Sequence, residues 1–280
     1  MVRGIILAAG SGSRLNGAGD EEPKCLMRLG GRFMLERQIG ALREAGIDDI
    51  GIVVGHGAER VRRMAGGAVH YVENMRFAQT NSLYSLWLAR PLLLDGFVVL
   101  NCDVLFHPQM LVDLLTTRCD AAALVAYRTD GEPLGEEEMK VRVRRGRVVE
   151  FSKQMPPDEA DGENVGMLKF HAPAARALVA ELDRLVAAGH ARDFAPRGFG
   201  EFARRHPLYA IATRGYPWIE IDFPEDYERA CTDVLPAIER IRAGAKGTLL
   251  FDPPDGVAGA GPAWPVLTPA PETLDVPVAK

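Results

Sequence analysis

Through the first hundred residues of this 280-residue chain, short apolar runs of strand length alternate with segments whose apolar residues recur at helical spacing. Parallel strands cannot be joined by a tight turn, so strands separated by helices read as βαβ units building a mostly parallel sheet. Strands are expected at residues 4–9, 50–54, 68–72 and 97–101, and helices at 33–45, 58–64 and 81–93. The first helix runs into Gly46, which suits an αL C-cap. Beyond residue 120 the alternation loosens. Strands are expected at 121–127, 140–143, 147–151, 165–170 and 208–213, with a hairpin turn at Arg144-Arg145-Gly146-Arg147. Helices are expected at 172–188 and 225–243, the second entered through Pro224. The last 29 residues carry seven prolines. Residues 1–245 are therefore read as one domain and 246–280 as an extended or disordered tail rich in Pro, Ala and Gly.

Composition narrows the function classes. At 47% hydrophobic residues, the chain can bury a substantial core. Its 33 basic and 38 acidic residues leave a net charge of -5, with no Lys/Arg block to track a phosphate backbone. Small-molecule partners are expected, with neither nucleic acid nor membrane, and a homodimer as the one candidate assembly. The apolar run after Arg3 is too short for a signal-peptide core, and no run reaches the roughly 20 residues of a membrane helix. Four cysteines without CxxC spacing fit reduced thiols. Together these point to a cytoplasmic enzyme.

The first strand empties into Leu7-Ala8-Ala9-Gly10-Ser11-Gly12-Ser13-Arg14-Leu15. Ligands gather at the carboxyl ends of parallel strands. Glycines there let backbone N–H groups approach phosphate oxygens, and Arg14 adds a forked cation. The spacing is neither GxxxxGK[ST] nor GxGxxG. A second cation, Lys24, follows between Pro23 and Cys25.

The combination LAAGxGxRL…PK resembles the signature of the nucleotidyltransferases that include sugar-1-phosphate, sugar-acid and choline-phosphate nucleotidylyltransferases. That resemblance implies a Rossmann-like three-layer α/β/α sandwich of the nucleotide-diphospho-sugar transferase type, with a mostly parallel mixed sheet. It also implies that the loop cradles a triphosphate, Arg14 holds the outgoing phosphates and Lys24 meets the α-phosphate. Asn101-Cys102-Asp103 ends the fourth strand, and a carboxylate there is a suitable oxygen ligand for Mg²⁺. In Trp218-Ile219-Glu220-Ile221-Asp222, period-2 alternation puts both acids on one strand face. The family pattern implies that Asp222 completes a Mg²⁺ site with Asp103, with Glu220 in support.

These elements predict Arg14, Lys24, Asp103 and Asp222 as catalytic. Leu7 to Arg14, Lys24, Gly55, Gln79, Asn81, Ser82, Asn101 and Asp103 are expected on the nucleotide. Asn81-Ser82-Leu83-Tyr84-Ser85-Leu86-Trp87 resembles the choline-phosphate and 2-aminoethylphosphonate cytidylyltransferase branch, implying CTP. Lys140, Lys153, Glu163, Lys169, Trp218 and Glu220 are the acceptor candidates. Glu137 and Glu138 read as a solvated face. No cluster of aromatics marks a quaternary-ammonium cage. The expected reaction moves CMP onto a small phosphorylated or phosphonylated acceptor and releases pyrophosphate. Rival readings are a sugar-1-phosphate or inositol-phosphate nucleotidylyltransferase and a non-catalytic nucleotide-binding regulator. The last should have lost Lys24, Asp103 or Asp222.

Overall fold

The computed structural model describes residues 2–12, 22–128 and 134–245. In chain order its N-terminal half comprises β1 (Arg3–Ala8), β2 (Arg28–Leu29), β3 (Arg32–Phe33), α1 (Met34–Glu44), β4 (Ile50–Val54), α2 (Ala58–Ala65), β5 (His70–Glu73), α3 (Ser82–Leu88), α4 (Arg90–Leu93), β6 (Gly96–Asn101), β7 (Val104–Phe106) and α5 (Pro108–Thr116). There follow β8 (Ala121–Tyr127), β9 (Lys140–Arg144), β10 (Arg147–Ser152), β11 (Gly162–His171), α6 (Ala172–Ala187), α7 (Ala195–Ala203), β12 (Tyr209–Ala212), β13 (Trp218–Glu220), α8 (Pro224–Arg229) and α9 (Leu235–Ala245).

Nine strands form one sheet in the order β5-β4-β1-β6-β11-β8-β12-β10-β9. The β5-β4-β1-β6 half is parallel throughout. β11 then enters antiparallel between β6 and β8, so the sheet is mixed, as expected. Beyond Arg3, β1 is apolar and buried because it lies between two strands and under helices on both faces. Ile5 and Leu7 point to the side covered by α3, α6 and α7, through Leu83, Leu178 and Phe199. Ile6 and Ala8 point to the side covered by α1, α2 and α5, through Leu35, Val61 and Leu111. Two cores on opposite faces of one sheet make the three layers. Among the described residues, no helix is long and apolar enough to cross a membrane.

Three departures from the expected elements have local causes. The helix expected over 81–93 breaks at Ala89, because Pro91 has no N–H to offer the carbonyl of Trp87; the Arg90 guanidinium donates to it instead at 3.2 Å. The helix expected over 225–243 is interrupted by a π turn at Ala230–Val234, just before Pro236, which cannot donate back to the preceding turn. Finally, β7 pairs antiparallel with β13 in a short ribbon off the main sheet, a contact between distant segments that local periodicity does not reveal.

Candidate active site

β1 and β6 run side by side with Leu7 opposite Asn101, so their carboxyl ends open onto the same edge. Leu7, Ala9, Gly10 and Gly12 form one wall of a cleft of about 360 Å³ there, and Asn101 and Asp103 form another. Gly12 has φ +67°, and a Cβ on it would lie 2.9 Å from Cβ of Lys24. The glycine thus lets the loop close over the lysine stem. Lys24 opens a single 3₁₀ turn, Lys24–Leu26, whose buried Cys25 and Leu26 anchor the backbone and leave the ammonium pointing into the cleft.

Lys24 Nζ donates to Asp103 Oδ2 at 2.9 Å and also to Asp222 Oδ1. Burial opposes its charge, but Asp103 and Asp222 outweigh burial and hold the ammonium above the usual lysine range. Asp103, Glu220 and Asp222 each offer an oxygen within 4.8 Å of the others. The β7–β13 ribbon produces this convergence: Glu220 pairs with Val104, and the Ile221 N–H donates to the Asp103 carbonyl at 3.0 Å. Burial, then Asp103 and Asp222, push the Glu220 carboxyl well above the carboxylate range.

The cluster fits a divalent cation. Its donors are hard carboxylate oxygens, and Asp103 Oδ1 is buried without a hydrogen-bond partner, which an ion would satisfy. Of the catalytic set, Lys24, Asp103 and Asp222 come together, whereas Ser13 and Arg14 lie outside the described residues.

A second cavity of about 940 Å³ adjoins the first, and Glu137, Glu220 and Asp222 line both. Glu163 and Trp218 line the second. Glu163 is pushed up to about 8, first by burial and then by Glu138, Asp222 and Asp226, while Lys140 opposes the shift.

Several residues expected on the nucleotide stand outside the cleft lining or serve the fold as well. Ala8 belongs to the buried core beside Ile6, because period-2 alternation turns it away from the cleft. Ser11 is exposed and Gln79 lies exposed on a one-turn 3₁₀ helix; neither lines the cleft. Gly55 packs behind the loop, its α-carbon so close that a Cβ would stand 2.8 Å from the Ala9 carbonyl oxygen. Asn81 and Ser82 do line the cleft, but part of their capacity is structural: Asn81 caps α3 at Ser82 N, and Ser82 Oγ accepts from Ala195 N, both at 2.8 Å.

Two acceptor lysines are also corrected. Lys169 is buried, and its ammonium donates to the Thr117 carbonyl and hydroxyl, each at 2.7 Å. Antiparallel β11 carries it away from the cleft edge, to a position opposite Val98 near the start of β6. The Lys140 ammonium donates to the Lys153 carbonyl at 2.9 Å and so braces the chain that presents Lys153. Lys153 itself lines the cleft and pairs with Glu137 at 3.2 Å, so Glu137 is no idle surface charge.

Other cleft residues were not anticipated. Asn74 is buried and donates to Thr80 and Ser85 at 3.0 Å, knitting the β5–α3 connection. Asn164 sits buried on β11 with Oδ1 unpartnered. Phe194 and Pro196 arrive with α7, an element whose Pro and Gly content hides its helical period.

The fold and this site define a nucleotidyltransferase domain. The chain belongs to the family of MobA-like NTP transferase domains, whose pattern it matches over residues 4–225. It is 39% identical over 132 residues to the CMP-5'-(3-aminopropyl)phosphonate synthase of Streptomyces rubellomurinus, covering 45% of this chain and 21% of that protein. It is 33% identical over 229 residues to the bifunctional IPC transferase and DIPP synthase of Rubrobacter xylanophilus, covering 80% of this chain and 50% of that protein. The chain thus spans about a fifth and a half of these two relatives. Its fold is that of the inositol-1-phosphate CTP transferase from T. maritima, with a TM-score of 0.70, 22% identity, and coverage of 87% of this chain and 97% of that one.

Proposed function

We propose that this chain is a Mg²⁺-dependent cytidylyltransferase that moves CMP from CTP to a small phosphorylated or phosphonylated acceptor and releases pyrophosphate. The observation that carries the reading is the meeting of Lys24, Asp103, Glu220 and Asp222 where the two cavities join. A group-transfer enzyme must bring two anions together at such a junction. The names of the relatives, a CMP-phosphonate synthase among them, support CTP and a phospho-acceptor.

The triphosphate occupies the cleft beneath Gly10 and Gly12, and the acceptor enters from the Glu163 side. Its phosphate or phosphonate oxygen is already ionised, so in-line attack on the α-phosphorus needs no side-chain base. Lys24 offsets the charge that builds on the transferring group, and the α3 start orients the nucleoside through Asn81 and Ser82. Asp103 and Asp222, with Glu220 beside them, would hold Mg²⁺, which supplies charge neutralisation at the phosphate oxygens. Glu138 and Asp226 give the acceptor cavity an acidic wall, with Tyr127 and Trp218 nearby, and Glu163, pushed up to about 8, would ionise against a bound cation. That lining favours an acceptor with a cationic amine at the far end from its phosphorus.

The test is pyrophosphate release with CTP, UTP, GTP and ATP against phosphocholine, 2-aminoethylphosphonate, inositol phosphate and glucose 1-phosphate. CTP with an amino acceptor is expected to turn over fastest. UTP or GTP turning over with a sugar phosphate, and CTP with none, overturns the reading.

A further inference from the structure

The buried face of α1 is apolar at Met34, Leu35, Ile39, Ala41 and Leu42, yet Gln38 sits among them only 1% exposed. A primary amide in such a place destabilises the fold unless its polar atoms are paired. Its Nε2 donates to two carbonyls, Asn101 at 2.8 Å and Val104 at 3.0 Å. The orientation of the amide follows from those two acceptors. Its Oε1 is buried and has no hydrogen-bond partner. The fold therefore tolerates an unsatisfied oxygen at a position where an apolar side chain of similar volume would pack without one.

What the amide holds accounts for this. Asn101 and Val104 flank the tight turn that presents Asp103, and neither carbonyl is free once Gln38 spans them. From the other side the Ile221 N–H takes the Asp103 carbonyl. The turn is thus gripped between α1 and the strand that carries Glu220 and Asp222.

We propose that Gln38 is a positioning residue for Asp103: by pinning the 101–104 turn it fixes the carboxylate opposite Glu220 and Asp222, and so sets the affinity for the divalent cation without touching ion or substrate. This rests on the metal site of the proposed function. Gln38→Met keeps the volume and removes the donors. Mn²⁺ alone, titrated into the purified full chain and followed by electron spin resonance, should bind about ten- to a hundredfold more weakly in this variant. The Mg²⁺ concentration for half-maximal pyrophosphate release should rise in parallel. A lower thermal midpoint with Mn²⁺ affinity unchanged makes Gln38 a packing residue and overturns the proposal. Should the Met variant not fold, Gln38→Asn decides, since its amide is one methylene too short to span both carbonyls; wild-type Mn²⁺ affinity there overturns the proposal as well. Asp103→Asn separates the two readings. If it leaves Mn²⁺ binding intact, the metal site falls and the role of Gln38 with it. If it weakens binding and Gln38→Met does not, the role of Gln38 alone falls.

Discussion

The two halves of the sheet solve different problems. In the parallel half, β5-β4-β1-β6, every strand points to the same edge, and the cleft is built from what lies just past the strand ends: a glycine loop, a lysine turn and the Asp103 turn. In the half beyond β6, strands run both ways, and the second cavity is lined by side chains that stand on strands themselves, such as Glu163 on β11 and Trp218 on the adjoining β7–β13 ribbon. The first arrangement uses backbone and a few fixed charges, which suit the triphosphate common to all nucleotidyl transfers. The second can be repainted residue by residue without disturbing the first. On the proposed reading, the glycine loop, Lys24 and Asp103 would serve the nucleotide, and the lining of the second cavity would set the choice of acceptor.

That division can be broken most sharply at the junction. Asp103→Ala should lower turnover by about 10³-fold or more with fold and acceptor preference retained, measured by pyrophosphate release and circular dichroism. Next, Lys24→Met should cost about 10²-fold in kcat, because the transferring group loses its nearest cation while two carboxylates lose theirs. A smaller and one-sided effect is expected of Glu163→Gln: the acceptor KM should rise about tenfold while the CTP KM stays put. An equal rise in both would erase the distinction between the halves.

Glu163 also has a signature in pH. Its folded value of about 8 lies above the ordinary glutamate range, so between about pH 5 and 8 the unfolded chain has shed a proton that the folded chain keeps. The folded state is therefore progressively penalised as pH rises across that window. Glu163→Gln should gain thermal midpoint relative to the parent from pH 5 to pH 8, and a constant difference would refute the assignment. The smallest catalytic effect is expected from Lys169→Met. It should change turnover by less than about twofold yet cost about 1–3 kcal/mol of stability by leaving the Thr117 carbonyl and hydroxyl unpaired, read by denaturant unfolding.

The parallel half was largely legible in the sequence, because a buried parallel strand reads as an unbroken apolar run and its chemistry follows immediately at its end. Asp103 was read that way, whereas Lys24 was read from the Pro-Lys pair after the glycine loop, and Asp222 from the strand alternation and family pattern around Glu220. Of the other half's lysines, Lys153 lines the cleft as expected, whereas Lys169 was misplaced for a matching reason. The destination of Lys169 depends on β11 running antiparallel, and nothing within a few residues of Lys169 encodes strand direction. Glu137 was hidden in a run of like charges, and Phe194 in a helix interrupted by proline and glycine. Gln38 carried no signal of its own, since one polar residue in a helical apolar stripe says nothing about which turn it will meet.

The β7–β13 ribbon has a consequence for how the protein comes into being. Lys24 meets Asp103 across 79 residues of chain but Asp222 across 198. At about 5–20 residues per second, a ribosome takes on the order of ten seconds to travel from Asp103 to Asp222. Throughout that interval the growing chain can fold its glycine loop and parallel strands, yet it has no second carboxylate to set against the first. On the proposed reading, reactivity would arrive with one of the last strands to emerge, because a polypeptide abandoned before Trp218 lacks Glu220 and Asp222, two of the three clustered carboxylates.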